Sequence, residues 1–214
     1  MKIPTRKIFF WLCVLVIFLL FMHHRFSFDG KNVLGRELSR FFDLNGEGNF
    51  PAWVSGSLFL LTAQAALITY FLGKKIYSKL FQIFNLVVFL LFMFFSFDEV
   101  SGFHESLTYI SETKWVYLYF PIFAIVAVFF GYVFWREESS VRRFVFRISL
   151  GLFVFASGGL FLEWIYYRFG AYGVLERFKF RLEEGLEFLG VVIAFVGVLE
   201  GINELFSSRF EEIN

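Results

Sequence analysis

The chain has 214 residues, 58% of them hydrophobic and 18% charged, with a mean hydropathy of +0.66. A water-soluble domain holds about 25% charged and about 45–50% apolar residues, so the composition excludes an ordinary soluble domain and predicts several membrane crossings. The formal net charge of +1 leaves no global field for nucleic acid, and the lone cysteine, Cys13, excludes an intrachain disulfide and C-x-x-C chemistry.

The first predicted element is an apolar run at 8–22, preceded by Lys2, Arg6 and Lys7. It has the layout of a signal peptide, but His23, His24 and Arg25 follow where a small-x-small cleavage site would stand, so it is read as a retained span. The long segment 23–53 comes next. Its stretch Asp43, Asn45, Glu47, Asn49 alternates like a calcium loop, but the twelfth position, where an EF-hand needs Glu, is Val54. A turn closing over a vestibule is the plainer reading. His23 and His24 read as interfacial residues.

Spans follow at 54–72, 80–97, 115–135, 144–166 and 188–206, each near the ~20 residues that cross ~30 Å of hydrocarbon. The fourth is bracketed by Trp115 and Trp135, as interfacial anchors would bracket it. The predicted fold is therefore all-α, a single transmembrane domain with a bundle of about six helices. Lys74, Lys75 and Lys79 lie between spans two and three, and Arg136, Arg142 and Arg143 between spans four and five. These short basic segments predict a cytoplasmic face holding both termini, in a bacterial inner membrane. The opposite side then holds thirteen of the nineteen acidic residues.

Those acids gather at span ends. Asp98 and Glu99 end the third span, Glu163 nears the end of the fifth, and Glu183, Glu184 and Glu187 open the sixth. Carboxylates at the edge of hydrocarbon are costly and mark sites. In span six, Glu183, Glu187, Gly190, Ala194, Gly197 and Gly201 share one stripe, whose small residues admit a neighbouring helix. Ala156, Gly159 and Glu163 form a second stripe, and Asn85, Phe89, Phe92, Ser96 and Glu99 a third. All three lead toward a common outer vestibule. The segment 167–187 reads as an amphipathic helix lying on the membrane before the chain turns in. Gln64 and Asn85 read as interhelical glue. Glu200, Asn203, Glu204 and Arg147 read as a second polar patch or a solvated helix end. The 36 phenylalanines read first as compositional bias, and second as a surface for aromatic or isoprenoid ligands.

Carboxylates with one imidazole suit a divalent metal: zinc, iron or manganese. Glu99, His104, Glu163, Glu184 and Glu187 are the expected ligands, with Asp98 as base or orienting group for hydrolysis or modification of a lipid-linked substrate. Shared protons in a low-dielectric pocket are the other chemistry. Each group also has a plainer reading. Glu183 and Glu184 suit a helix N-terminus, and Glu163 suits a salt bridge to Arg168, Arg177 or Arg181. An accessory or scaffold subunit of a larger membrane complex, and a cation or proton transporter, are the alternative functions.

At Phe-Asp-Leu-Asn-Gly-Glu-Gly-Asn-Phe-Pro (42–51), Ser-Phe-Asp-Glu-Val-Ser-Gly-Phe-His-Glu (96–105) and Glu-Glu-Gly-Leu-Glu (183–187), the chain resembles a group of uncharacterised bacterial six-span membrane proteins. Ser101 before His104 resembles, more distantly, the alkaline ceramidase and adiponectin-receptor superfamily of intramembrane zinc hydrolases. That likeness implies a zinc hydrolase, but the superfamily's late histidine pair has no counterpart after His104.

Overall fold

The computed structural model describes residues 3–26, 33–44, 46, 48–74, 77–111, 114–169 and 174–213. Among these residues the chain is all-α. Six stretches are long and apolar enough to cross a membrane: Thr5–Phe26, Phe50–Gly73, Lys79–Ser101, Trp115–Arg136, Ser139–Tyr166 and Arg181–Glu204. A helix suits such a stretch in lipid, because it satisfies every backbone N–H and C=O within the segment itself.

The elements in order are α1 (Thr5–Phe26), α2 (Val33–Phe41), α3 (Phe50–Gly73), α4 (Lys79–Ser101), α5 (Phe103–Ser111), α6 (Trp115–Arg136), α7 (Ser139–Ala156), a π-helical segment (Ser157–Leu162), α8 (Glu163–Phe169) and α9 (Val174–Ile213). The short helices α2 and α5 lie in segments read from sequence as loops. The third crossing packs on the second (α4 on α3), and α9 lies against α1, α3 and α7. The chain reverses direction between successive crossings. One end of the bundle therefore gathers the C-termini of α1 and α4 and the N-termini of α3 and α6, and we call it the acidic end. The other is the basic end.

Local chemistry sets the boundaries. Helix α3 starts at Phe50, four residues before the sequence boundary, because the Asn49 side chain caps it by accepting the Ala52 N–H at 3.1 Å and Pro51 suits the first turn. Helix α4 is capped by Ser78, which accepts the Phe81 N–H at 3.0 Å, and ends at Gly102 in the left-handed region, φ 61°.

The expected surface helix at 167–187 is absent as a separate element: Val174–Ile213 is one continuous helix. Nothing between Val174 and Phe188 breaks it; the run holds no proline, and Gly185 alone costs only about 1 kcal/mol. Gln64 is also corrected. It is exposed on α3, away from the helix seams.

Glycines bring α7 and α9 into close contact. A Cβ at Gly151 would lie 2.6 Å from the Ala194 N and 2.7 Å from the Gly190 O. A Cβ at Gly190 would meet the Gly151 O at 2.6 Å and the backbone of Phe155. The stripe read from Glu183 to Gly201 is therefore the face α9 turns to α7, with Gly197 on Arg147 and Gly201 on Phe144. Phenylalanines fill the core. Phe59, Phe92, Phe95, Phe123 and Phe155 form one cluster of ring contacts, and Phe81, Phe84, Phe130 and Phe144 another. Tilted and edge-on ring pairs of this kind add about 0.5–1.5 kcal/mol each beyond burial.

Candidate functional site

Helix α4 ends in a turn that places several polar groups at once. Gly102 closes it by bonding its N–H to the Asp98 carbonyl at 2.9 Å. The Asp98 side chain then accepts the His104 backbone N–H at 2.8 Å, capping α5. Its second oxygen lies 3.3 Å from His104 Nδ1, and Tyr119 Oη of α6 donates to the first at 3.3 Å. Asp98 thus fixes the imidazole and ties α4, α5 and α6 together. The ring of His104 meets Trp115 edge-on at 5.0 Å, and Trp115 meets Tyr119 at 5.4 Å. One residue further along, Glu99 turns the other way and accepts a hydrogen bond from Ser55 of α3. Beside it Ser96 donates to the Gly56 carbonyl at 2.8 Å.

Across from this turn stand the acids of α9. The π-helical segment decides how they approach. Its extra residue per turn puts Gly158 and Gly159 side by side against α9. A Cβ at Gly158 would lie 2.6 Å from the Glu183 carbonyl, and one at Gly159 2.6 Å from Glu187 Oε1. A side chain at position 158 would run into the α9 backbone, and one at 159 would displace the Glu187 carboxylate. π-Bulges occur disproportionately at functional positions, and this one also shifts the phase that the stripe Ala156–Gly159–Glu163 assumed.

Between the two walls lies a cavity of about 390 Å³, within the size range of small-molecule sites. Asp98, Glu99, His104, Glu105, Glu183, Glu184 and Glu187 all line it. Its floor is aromatic: Phe95, Phe123 and Phe155 separate it from the core, and Trp115, Tyr119 and Tyr109 form its side. Leu44 and Gly46 close part of the rim. They are held there by a turn in which the Asn49 amide donates to the Asp43 and Gly46 carbonyls, and in which His23 Nδ1 accepts the Leu44 N–H at 3.1 Å. Asn49 is thus a cap and turn residue, and His23 an anchor for the turn. Asn45 and Glu47 lie outside the described residues.

Of the six residues singled out from sequence, the cavity brings together Asp98, Glu99, His104, Glu184 and Glu187. The backbone of Glu163 starts α8, but its side chain, like that of Arg177, lies outside the described residues. Among the described residues no three His, Cys, Asp or Glu side chains converge closely enough to hold a metal ion. Sequence reasoning missed Ser55, Tyr119 and Gly158, and it read Trp115 only as an interfacial anchor; Gly159, on the stripe with Ala156 and Glu163, does line the cavity. Tyr119 was findable, since it stands four residues, one helical turn, beyond the anchor Trp115.

An all-α bundle with six helices able to cross a membrane and an acidic, aromatic-floored cavity at one end defines a multi-pass membrane protein. The chain belongs to the family described as a domain of unknown function, DUF8692, whose model matches residues 8–200. No curated protein and no solved structure matches it. The likeness to ceramidases and adiponectin receptors at Ser101 and His104 is supported by none of these comparisons.

Proposed function

We propose that this protein is a membrane-embedded binding protein whose cavity faces outward, across a bacterial inner membrane, and receives a cation, with an organic ammonium group as the ligand class. One observation carries the reading: a single cavity collects carboxylates from α4, α5 and α9 over rings from α4, α6 and α7. Carboxylates supply the counter-charge. Aromatic rings attract an alkylated ammonium, by about 0.5–1 kcal/mol at exposed sites and about 2 when desolvated. Glu99 stands on one wall and Glu187 on the other, so an ammonium group in the cavity has counter-charge on both sides.

A divalent metal is the second reading, with Glu99, His104, Glu163, Glu184 and Glu187 as its ligands. The Asp98–His104 pair favours it, because a carboxylate on one ring nitrogen is how proteins orient a metal-bound imidazole. Glu163 would have to complete the donor set. In that case zinc, iron or manganese would supply Lewis acidity, and Asp98 would hold the imidazole in place.

Separate calorimetric titrations of the detergent-purified protein with tetramethylammonium and with Zn²⁺ or Mn²⁺ distinguish the two. Saturable tetramethylammonium binding, lost in Glu99→Gln, Glu187→Gln, supports the ammonium reading. Stoichiometric metal binding lost in the same variant, without ammonium binding, replaces it with the metal reading. Neither ligand binding would leave the cavity without a cation and turn attention to an accessory role with partner subunits.

A further inference from the structure

An apolar groove of about 840 Å³ runs between α6 and α7 and opens sideways, toward lipid. Its walls include Ala124, Ala127 and Gly131 of α6 and Phe146, Leu152 and Phe153 of α7. Three observations separate it from an ordinary lipid-facing surface. First, Phe123 and Leu160 line both the groove and the acidic cavity, so the two spaces share one wall. Second, that wall is where the π-helical segment interrupts α7, and Ser157, Leu160 and Phe161 of the segment line the groove. Third, the groove follows α6 from Phe120 to Phe134. At about 1.5 Å rise per residue that is about 21 Å, more than half of a ~30 Å hydrocarbon core. Its length is that of a lipid tail.

Small residues give the groove its depth. Nothing lies within 4 Å of where a Cβ at Gly131 would stand.

The geometry points to one occupant: a membrane amphiphile with a cationic head in the acidic cavity and a single alkyl chain in the α6–α7 groove. This inference rests on the cation reading above and names the class of its ligand. A soluble amine would need no groove, and a neutral lipid no carboxylates. The chain would enter sideways between α6 and α7, pass Phe123 and Leu160, and leave its head among Glu99, Glu184 and Glu187.

The test uses two photoactivatable probes in nanodiscs: a hexadecyltrimethylammonium carrying a mid-chain diazirine, and the hexadecanol with the same diazirine. Labelling of the groove is divided by labelling of the exposed α1 residues Trp11, Ile17 and Phe21, which corrects for partition into the bilayer. For the cationic probe this ratio is expected to exceed that of the neutral probe by about fivefold, the worth of one modest cation–π or ion-pair contact. Excess tetramethylammonium should abolish the difference. Gly131→Leu, which fills open space, should abolish it too while leaving tetramethylammonium binding unchanged. Ala127→Leu is the second groove variant should Gly131→Leu fold poorly. Equal ratios for the two probes, with tetramethylammonium still bound, would overturn the amphiphile and leave the cation site, with ordinary bilayer lipid or a partner helix in the groove. No tetramethylammonium binding at all would remove the cation reading and this inference together.

Discussion

At the basic end of the bundle, Glu200 and Glu204 share one arginine, Arg147, at 2.8 and 3.8 Å, and the chain start is tied to the same helix through Asn203, whose amide bonds both the N–H and the carbonyl of Ile3. At the acidic end, five carboxylates from α4 and α9, with Glu105 and His104 of α5, surround a cavity. The residue types are similar, but the first group is drawn onto one partly exposed arginine and the second lines a hollow. Carboxylates that share an arginine tie two helices together. Carboxylates gathered around a space with an aromatic floor are placed to meet something that enters.

Four substitutions sharpen the contrast. Gly190→Val should have the largest effect, because its side chain would be driven into the backbone of α7. Overpacking of this kind costs about 3 kcal/mol, and thermal unfolding in detergent should show the loss together with collapse of the cavity. Asp98→Ala removes the cap of α5 and the partner of His104 and Tyr119. A lost cap costs up to about 2 kcal/mol, and hydrogen exchange should show α5 released while α9 stays protected. Glu187→Gln, which keeps the shape of the side chain, should still melt cooperatively yet weaken ammonium binding about tenfold, the worth of one hydrogen bond to a charged group. Arg147→Met should do the reverse. It should lose about 1 kcal/mol of stability, as expected of a half-exposed pair, with ammonium affinity unchanged by calorimetry. If Arg147→Met weakened binding as much as Glu187→Gln, the two ends would not be independent and the contrast would fail.

Much of this was legible in the sequence because lipid enforces simple rules. Apolar runs had to be helices, so the six spans could be read directly. The spacing from Glu183 to Gly201 had to be one face, and that face is the seam with α7. Residues tied to turns were harder. Asp98 reads as an acid at a span end, but its role as cap and imidazole partner depends on Gly102 reversing the chain, which spacing alone does not reveal. The π-helical segment was invisible, because a regular 3.6-residue period assumes no insertion; Gly158 therefore came as a finding, while Gly159 was read on the right side of the helix for a different reason. Helix α9 was misjudged where charge was read as a surface helix. Arg181, Glu183 and Glu184 sit instead on an unbroken rod that carries them over the cavity.

The most direct measurement is calorimetric titration of tetramethylammonium into the detergent-purified protein, beside the Glu99→Gln, Glu187→Gln variant. The account predicts saturable binding at one site in the native chain and at least about a tenfold loss in the variant. Equal binding by both proteins, or none by either, would contradict a cation site at the acidic end.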